Sequence, residues 1–277
     1  MVRSLKTAKV VVTGSRGYVG TATKKLLEDS GYKVIEIDKK IGTNTMLLFS
    51  HIFHEPPIGI IHLSAKKSIP ESKKKPYLYY FNNLLSTLSV AIVAKVLSIP
   101  VVFASSAAVY APNNAYAKSK KWEERMLNFI CPSVAILRYF NIVGKTETVY
   151  DTGSTNVFEV IKKSSSIDVN SSTSTRDYVH VLDIARANVM AMEHLQNNHS
   201  FATDIFTGRS RTLVEVLEEY RANGVDVKYT LLGEDDDSVA PALDNRALFG
   251  WKPEYTFKQA IQSEIKENKP TCKDKPI

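Results

Sequence analysis

Hydrophobic and polar positions follow two alternating patterns in the first half of the chain. Short runs rich in β-branched residues are typical of strands buried on both faces, and longer segments with apolar positions three or four apart are typical of helices. The pattern predicts strands at residues 9–13, 34–38, 59–63, 101–104 and 133–138, and helices at 19–27, 76–97 and 113–130. Strands that alternate with helices predict an α/β fold with a doubly wound parallel sheet, the Rossmann arrangement.

The pattern changes after Asn141. Residues 164–174 are rich in serine and threonine and predict a mobile loop, and helical spacing returns at residues 181–195. Shorter segments follow, with strands predicted at 204–207 and 228–231 and helices at 213–221 and 257–266. We therefore expect a Rossmann domain from residues 1–140 with 177–207, a smaller C-terminal α/β domain from 141–176 with 208–267, and a disordered tail at 268–277.

The composition is that of an ordinary globular chain, and it narrows the range of partners. Of the 277 residues 44% are hydrophobic and 23% are charged, and the formal net charge is +7. No nucleic-acid-binding motif accompanies that charge, so we expect a solvated basic surface and no nucleic-acid partner. Cys131 and Cys272 lack the spacing of metal ligands or of a disulfide framework, which suits a reducing cytoplasm. We expect no signal peptide and no membrane span, because the apolar runs are too short.

A glycine-rich turn joins the first predicted strand to the first predicted helix. It reads TGSRGYVG from Thr13 to Gly20. Glycine lets the backbone turn tightly and approach a pyrophosphate, and the helix N-terminus offers N–H groups to the phosphates. Asp38 ends the second strand, where its carboxylate can accept hydrogen bonds from both ribose hydroxyls and would repel a 2′-phosphate. The sequence therefore predicts a site for NAD rather than NADP, with a glycine turn that holds no ligand as the alternative.

Tyr116 and Lys120 are four residues apart and share one face of a predicted helix. They follow the strand at 101–104 and Ser106, and the carboxyl ends of parallel strands face the cofactor in such sheets. A nearby ammonium and a positive nicotinamide ring favour the phenolate, which can then take a proton from a hydroxyl while Ser106 holds or relays it. The alternative is a tyrosine and a lysine on the surface of an amphipathic helix.

The chain resembles the extended short-chain dehydrogenase/reductases, and within them the UDP-galactose 4-epimerase branch, from about Lys9 to Lys266. The motifs that carry this resemblance are TGSRGYVG from Thr13, HLSAKKS from His62, YYFNN from Tyr79, SSAAVY from Ser105, YAKSK from Tyr116, LRYFNIVG from Leu137, RDYVHVLDIARA from Arg176 and GWKP from Gly250. The resemblance implies an NAD-dependent 4-epimerase of a nucleotide-sugar, with a UDP-hexose as substrate and transient oxidation at C4.

The resemblance also implies roles for individual residues. The implied catalytic residues are Ser106, Tyr116 and Lys120, and no metal is implied. The implied NAD contacts are Gly14, Arg16, Gly17, Tyr18, Val19, Gly20, Asp38, Leu63, Ser64, Ala65, Lys67, Asn83, Tyr116, Lys120 and Tyr139. The implied substrate contacts are Lys67, Ser106, Ala107, Ala108, Tyr116, Asn141, Asn156, Val157 and Arg176. Structural alternatives remain open, for example that Asn83 satisfies local backbone groups or that Arg176 pairs with Asp177.

Several positions depart from the family pattern. The stretch between Asp38 and His62 is short and leaves the adenine pocket undefined, and residues 111–115 must turn directly into the next helix. Glu234 falls where the family has an arginine that binds the diphosphate. Losing that arginine–phosphate contact would cost about 1.5–3 kcal/mol of binding free energy. Either the alignment slips there, or Arg209 or Arg211 substitutes, or the substrate differs.

Three functions remain in view. Ala107 and Ala108 stand where the family's dehydratases carry an acid, which favours epimerisation. The alternatives are another extended-family dehydrogenase, reductase or decarboxylase, and a catalytically silent NAD-binding protein. The resemblance also implies a homodimer, in which the helices that begin near Pro76 and Tyr116 pair across a two-fold axis.

Overall fold

Buried strands and the helices that cover them form the framework of the protein. The computed structural model describes residues 8–48, 50, 56–146, 149, 157–163, 166–169, 171–197, 199–233, 244 and 246–265. The predicted tail at 268–277 and Cys272 lie outside these residues.

The strands and helices follow in chain order. The strands are β1 Lys9–Thr13, β2 Lys33–Ile37, β3 Gly59–His62, β4 Val101–Ser106, β5 Val134–Tyr139, β6 Asn141–Val143, β7 Ser166–Val169, β8 Thr175–His180, β9 Phe201–Ile205, β10 Ser210–Thr212 and β11 Lys228–Leu231. The helices are α1 Tyr18–Asp29, α2 Ile69–Lys74, α3 Pro76–Leu97, α4 Ala115–Ile130, α5 Val157–Lys163, α6 Val181–Leu195, α7 Leu213–Ala222 and α8 Phe257–Ile265. One turn of α3, Tyr80–Leu84, is a π-helix.

The six strands of the main sheet are all parallel and lie in the order β2-β1-β3-β4-β5-β9. The order reverses at β1, where Val12 lies opposite Glu36 on one side and Ile61 on the other. This confirms the predicted doubly wound Rossmann sheet, whose ligands bind at the carboxyl edge beside such a reversal. In the described part of the chain no strand pairs with the outer edge of β2.

Alternate residues of each strand enter two different apolar layers, which explains why the strands are hydrophobic throughout. On one face Val10 and Val12 pack with α1 and α6, and on the other face Val11 packs with α3 and α4. All three valines are fully buried. Both layers are packed from buried apolar side chains, so the sheet is a rigid base for its carboxyl edge.

A second apolar core lies beyond the main sheet. The sheet β10-β8-β6 and the pair β11-β7 pack with α5, α7 and α8 around Phe158, Tyr220 and Ile261. The predicted loop at 164–174 is therefore wrong at β7, a strand of four residues that alternates exposed and buried positions. Four residues are too few for that alternation to be recognised in the sequence, and the strand depends on its partner β11.

Helix α3 corrects a second expectation. By length and composition α3 is apolar enough to cross a membrane, whereas the sequence analysis expects no such segment. Of its most apolar 18-residue stretch, 39% is buried inside the protein. Its inward residues Val90, Val93 and Ala94 belong to the core of the main sheet. We therefore describe it as a helix of the sheet's outer layer with one uncovered side.

Asp177 ties the end of the main sheet to the second core. Its buried carboxylate accepts hydrogen bonds at 2.8–3.0 Å from the backbone N–H groups of Thr207, Gly208 and Arg209 and from the Thr207 hydroxyl. A single carboxylate thus fixes the turn between β9 and β10 against β8.

We expect Asp177→Ala to lower the free energy of unfolding by about 2–4 kcal/mol, because it leaves several backbone donors without an acceptor. Urea unfolding followed by circular dichroism measures the change. Asp177→Asn keeps one acceptor oxygen and is the control, expected to lose about half as much. Equal stability of Asp177→Ala and the parent protein would contradict this role.

Candidate active site

A cleft of about 1160 Å³ runs along the carboxyl edge of the main sheet and under the second core. Its floor consists of the glycine turn and the residues that follow β3, β4 and β5. Its far wall is formed by α5, β7 and β8. The cleft therefore joins the sheet reversal, where ligands of such folds bind, to a second set of side chains.

The glycine turn is closed by contacts that a side chain would break. Gly14 has a φ of +70°, and a Cβ there would lie 2.9 Å from the backbone nitrogen of Ser64. A Cβ on Gly20 would lie 2.0 Å from the Gly14 carbonyl oxygen. Glycine at both positions is thus a steric requirement of the packing of α1 against β1 and β3.

The N-terminus of α1 faces the cleft and suits an anion. Its cap, Gly17, has no side chain to occupy the first-turn N–H groups, and that turn contains no acidic residue. Gly17, Tyr18, Val19 and Gly20 all line the cleft. The bare cap, the close backbone approach and the helix dipole together fit the pyrophosphate of a dinucleotide.

Asp38 holds the glycine turn to the end of β2. Its carboxylate accepts hydrogen bonds from the backbone N–H groups of Arg16 at 3.0 Å and Lys40 at 2.9 Å. A carboxylate has about four acceptor positions, so capacity remains for ribose hydroxyls. Asp38 lines the cleft together with Lys39, Lys40 and Thr45, which the short segment after β2 brings to the same end.

Ser106, Tyr116 and Lys120 all line the cleft, and Ser106 hydrogen-bonds the phenol of Tyr116. Ser106 ends β4 and accepts a hydrogen bond from Ala108 N at 3.3 Å. Asn114 caps α4, since its Oδ1 accepts a hydrogen bond from the Ala117 N–H at 2.9 Å. The helix can therefore begin at Ala115, directly after the short segment that follows Ser106. This cap aims the first turn of α4, and with it Tyr116, towards the end of β4.

The proton affinity of Tyr116 is high in the protein alone. Burial raises the pKa of Tyr116 to about 12, a hydrogen bond with Ser106 lowers it in part, and the charge of Glu123 raises it further. The sequence predicts that the Lys120 ammonium and a positive nicotinamide ring together favour the phenolate. In the protein without the cofactor the pKa stays high, because burial of the phenolate and a neighbouring carboxylate oppose ionisation.

Most of the other predicted contacts also line the cleft. Those on the dinucleotide side are Leu63, Ser64, Ala65, Lys67 and Tyr139, and those on the far side are Asn141, Val157 and Arg176. The Tyr139 hydroxyl donates to Asn188 at 2.5 Å, and Asn141 Nδ2 donates to the Asp177 carbonyl at 3.3 Å. Arg176 donates to the Ser174 hydroxyl at 2.7 Å and lies at the far wall.

Four predicted contacts lie elsewhere. Arg16 makes a two-point ion pair with Glu36 at 2.7 and 2.9 Å outside the cleft lining. Asn83 is fully buried, where it hydrogen-bonds both backbone groups of Lys66 and the hydroxyl of Ser119. Ala107 and Ala108 form a 3₁₀ turn that is not part of the lining.

Two further predicted positions, Asn156 and Glu234, lie outside the described residues. Neither Arg209 nor Arg211, the proposed substitutes for the missing diphosphate arginine, belongs to the cleft lining. Arg211 instead pairs with Glu215 at 3.1 Å. Of the predicted substrate contacts, the cations that line the cleft within the described residues are Arg176 at the far wall and Lys67 after β3.

The sequence reading missed several residues of the far wall. They are Phe158, Asp168, Val169, Ser171, Ser174, Tyr178 and Leu213. Ser171 and Ser174 lie in the serine-rich segment that was interpreted as a loop, and Asp168 lies in the unrecognised strand β7. Only Tyr178 carried a signal, since it follows Arg176 and Asp177 in the motif.

Comparisons with known proteins identify the family of the chain. It matches the NAD dependent epimerase/dehydratase family over residues 10–203. The UDP-glucose 4-epimerase of Rhizobium leguminosarum bv. trifolii is 28% identical and aligns over 92% of this chain and 95% of that protein. That of Lactobacillus helveticus is 27% identical over 89% of this chain and 92% of that protein. The fold is similar to that of the Bifidobacterium longum UDP-glucose 4-epimerase in complex with NAD⁺ and UDP, with a TM-score of 0.80 and 26% identity. That comparison covers 93% of this chain and 97% of the Bifidobacterium longum chain.

We expect Gly20→Ala to weaken NAD binding by more than tenfold, because its Cβ must push α1 away from the Gly14 carbonyl and misalign at least one hydrogen bond to phosphate, a loss of about 1.5–3 kcal/mol. Isothermal titration calorimetry measures the affinity. The control is Gly224→Ala, at a φ of +85° with no atom within 4 Å of the new Cβ, which should bind NAD like the parent. A folded Gly20→Ala protein with parental affinity would refute the steric argument.

Proposed function

The chain belongs to the NAD dependent epimerase/dehydratase family, and on that premise we propose that it is a nucleotide-sugar 4-epimerase that acts on a UDP-hexose. The observation that carries this proposal is the meeting of Ser106, Tyr116 and Lys120 in one cleft with the glycine turn. A phenol, a hydroxyl and an ammonium around one point suit proton transfer at a sugar hydroxyl.

Tyr116 is the proposed base. Bound NAD supplies a reversible hydride acceptor and a positively charged ring in this cleft. Tyr116 takes the proton of the 4-hydroxyl as C4 is oxidised and returns it when C4 is reduced on the opposite face. Because burial raises the pKa of the phenol to about 12 in the protein alone, added positive charge is needed to populate its ionised form near neutrality.

Ser106 and Lys120 assist that transfer in different ways. Ser106 hydrogen-bonds the phenol of Tyr116 and lowers its pKa, so it stabilises the ionised form. Lys120 brings a positive charge to the same part of the cleft. The 3₁₀ turn after Ser106 begins with Ala107 and Ala108, which have no proton to give to a leaving hydroxide, so the set supports epimerisation over dehydration.

Several sides of the cleft supply the proposed nucleotide-sugar contacts. Arg176 and Lys67 offer positive charge for a diphosphate, and Asn141 offers an amide to a sugar hydroxyl. The proteins similar to this chain include the Bifidobacterium longum enzyme with NAD⁺ and UDP, which supports a uridine nucleotide. In this proposal residues 1–140 with 177–207 bind NAD, residues 141–176 with 208–267 bind the substrate, and the protein works in the cytoplasm.

We also propose that the protein is a homodimer. The outer side of α3 exposes apolar residues at helical spacing, and the neighbouring α4 exposes Trp122 and Phe129, the latter 89% exposed. The residues of the α3 stripe are Tyr77, Phe81, Leu85, Ile92 and Val96. Two copies of this helix pair across a two-fold axis would bury the stripe in a four-helix bundle.

Tyr116→Phe should lower epimerase activity by at least about a hundredfold, since it removes the group that exchanges the proton. The assay incubates the purified protein with UDP-galactose and identifies the products chromatographically. NAD affinity should stay near that of the parent, which separates lost chemistry from lost binding. Near-normal activity would exclude Tyr116 as the base.

The same assay on the parent protein tests the reaction itself. Conversion to UDP-glucose without net change in NADH supports the epimerase. Net NADH release would instead identify a dehydrogenase, and CO₂ release when a UDP-hexuronate replaces UDP-galactose would identify a decarboxylase. Retained NAD with no turnover of any nucleotide-sugar would identify a silent NAD-binding protein.

Ile92→Asp should convert the dimer to a monomer, because it buries a charge in the middle of an apolar interface. Light scattering coupled to gel filtration measures the mass. The control is Leu231→Asp, which places the same charge at a 51% exposed leucine on β11 and should leave the dimer intact. A parent protein that is monomeric at micromolar concentration would overturn the proposed interface.

A further inference from the structure

Helix α4 carries a buried acid beside the proposed active site. Tyr116, Lys120 and Glu123 are spaced four and three residues apart and therefore lie along one face of the helix. Glu123 is fully buried, and its Oε2 accepts a hydrogen bond from the Lys120 ammonium at 3.2 Å. A carboxylate is seldom fully buried in a protein interior unless a group of opposite charge lies beside it. The negative charge of Glu123 thus offsets part of the positive charge that Lys120 brings to the site.

A chain of hydrogen bonds leads from the loop after β3 to the same carboxylate oxygen. Thr87 donates to Glu123 Oε2 at 3.0 Å, and the Thr87 hydroxyl lies 3.0 Å from His62 Nε2. Thr13 Oγ1 lies 2.7 Å from His62 Nδ1 and accepts hydrogen bonds from the backbone N–H groups of Leu63 and Ser64.

The direction of this chain follows from counting protons. Thr87 has one hydroxyl proton and gives it to a carboxylate, which has none, so His62 must donate its Nε2 proton to Thr87. His62 then accepts from Thr13 at Nδ1 and is neutral. Burial, together with the Lys120 charge, lowers the pKa of His62 to about 3, which agrees with a neutral ring. The chain therefore delivers a hydroxyl donor and no charge to Glu123.

Glu123 remains imperfectly satisfied in spite of these partners. Its second oxygen, Oε1, is buried and has no hydrogen-bond partner among the described residues. The neighbouring Glu124, by contrast, uses both oxygens on Arg138 and receives a further bond from Ser105. A buried carboxylate that is left partly unpaired is poor evidence for a stabilising role and points to an electrostatic one.

We propose that Glu123 is a positioning residue that fixes the Lys120 ammonium and offsets its charge, so that Tyr116 stays a phenol until a positively charged ring lies beside it. This rests on the proposed function only in giving Tyr116 the role of the base. Because Glu123 offsets the Lys120 charge, Tyr116 ionises near neutrality only when the positive ring of a bound cofactor lies beside it. The reactive phenolate is thereby confined to the loaded protein.

The charged and polar groups around Tyr116 give the sign of the effect. Ser106 on β4 and Glu123 on its own helix act on Tyr116 directly, and Lys120 lies between Tyr116 and Glu123 on that helix. Neutral His62 on β3 acts on Lys120. The charge of Glu123 raises the pKa of Tyr116, so its removal leaves Lys120 uncompensated and the phenol ionises at lower pH. An interaction of this kind shifts a titration by about 1–3 pH units.

The test follows the ionisation of Tyr116 by tyrosinate absorbance, as the difference between each protein and its own Tyr116→Phe derivative. In Glu123→Gln, which keeps an acceptor for Thr87, the Tyr116 midpoint should fall by at least about one pH unit, with and without NAD. NAD should also lower the midpoint, by a similar amount in the parent protein and in Glu123→Gln, because the two charges act additively on the phenol. Turnover is not needed, so the result is separate from the fate of the epimerase proposal.

Glu124→Gln is the matched control, because it removes the adjacent buried carboxylate that pairs with Arg138 instead of Lys120. Its Tyr116 midpoint should move less than half as far. Should Glu123→Gln not fold, Glu123→Leu fills similar space without charge and should shift the midpoint in the same direction. An unchanged midpoint in the folded Glu123 variant, or an equal shift in Glu124→Gln, would overturn the proposal.

Discussion

The close approach of α1 to the turn after β1 is the constraint on which the rest of the site depends. Gly20 lies so near the Gly14 carbonyl that no side chain fits between them, and Gly14 itself lies against the backbone of Ser64. These contacts bring the bare N-terminus of α1 to the carboxyl edge of three parallel strands. Because the strands are buried between two packed apolar layers, the edge is rigid, and the side chains that follow β3, β4 and β5 keep their spacing.

The second core then turns this edge into a cleft. Asp177 anchors the turn of Thr207–Arg209, while β8 carries Arg176 on the residue before it and Tyr178 on the residue after it. One short strand thus performs two tasks on alternate residues: attachment to the main sheet and formation of the far wall. The site that results is polar at its ends and has its phenol, hydroxyl and ammonium near the middle, an arrangement suited to a long ligand held at both ends.

The parts of this structure that the sequence predicts are those governed by local rules. Strand and helix periodicity in a doubly wound sheet, the glycine turn and the Tyr116–Lys120 spacing all reflect such rules. Strand β7 and the far-wall residues were missed because four-residue strands take their stability from their partners rather than from a pattern of their own. The role of Asn83 in satisfying Lys66 also required coordinates, since a buried amide and a ligand-binding amide look the same in a sequence.

The electrostatics of Tyr116 show why spacing alone does not define chemistry. A lysine four residues from a tyrosine suggests an easily ionised phenol, yet burial and a carboxylate three residues further along oppose that effect, and the pKa of Tyr116 is raised to about 12. The two charges on α4 lie close enough to act largely as a dipole, so their net field at the phenol is smaller than that of the ammonium alone. The balance then depends on any further charge that enters the cleft. A buried acid behind the lysine thereby makes the state of the tyrosine sensitive to what is bound, whereas a lone lysine would fix it permanently.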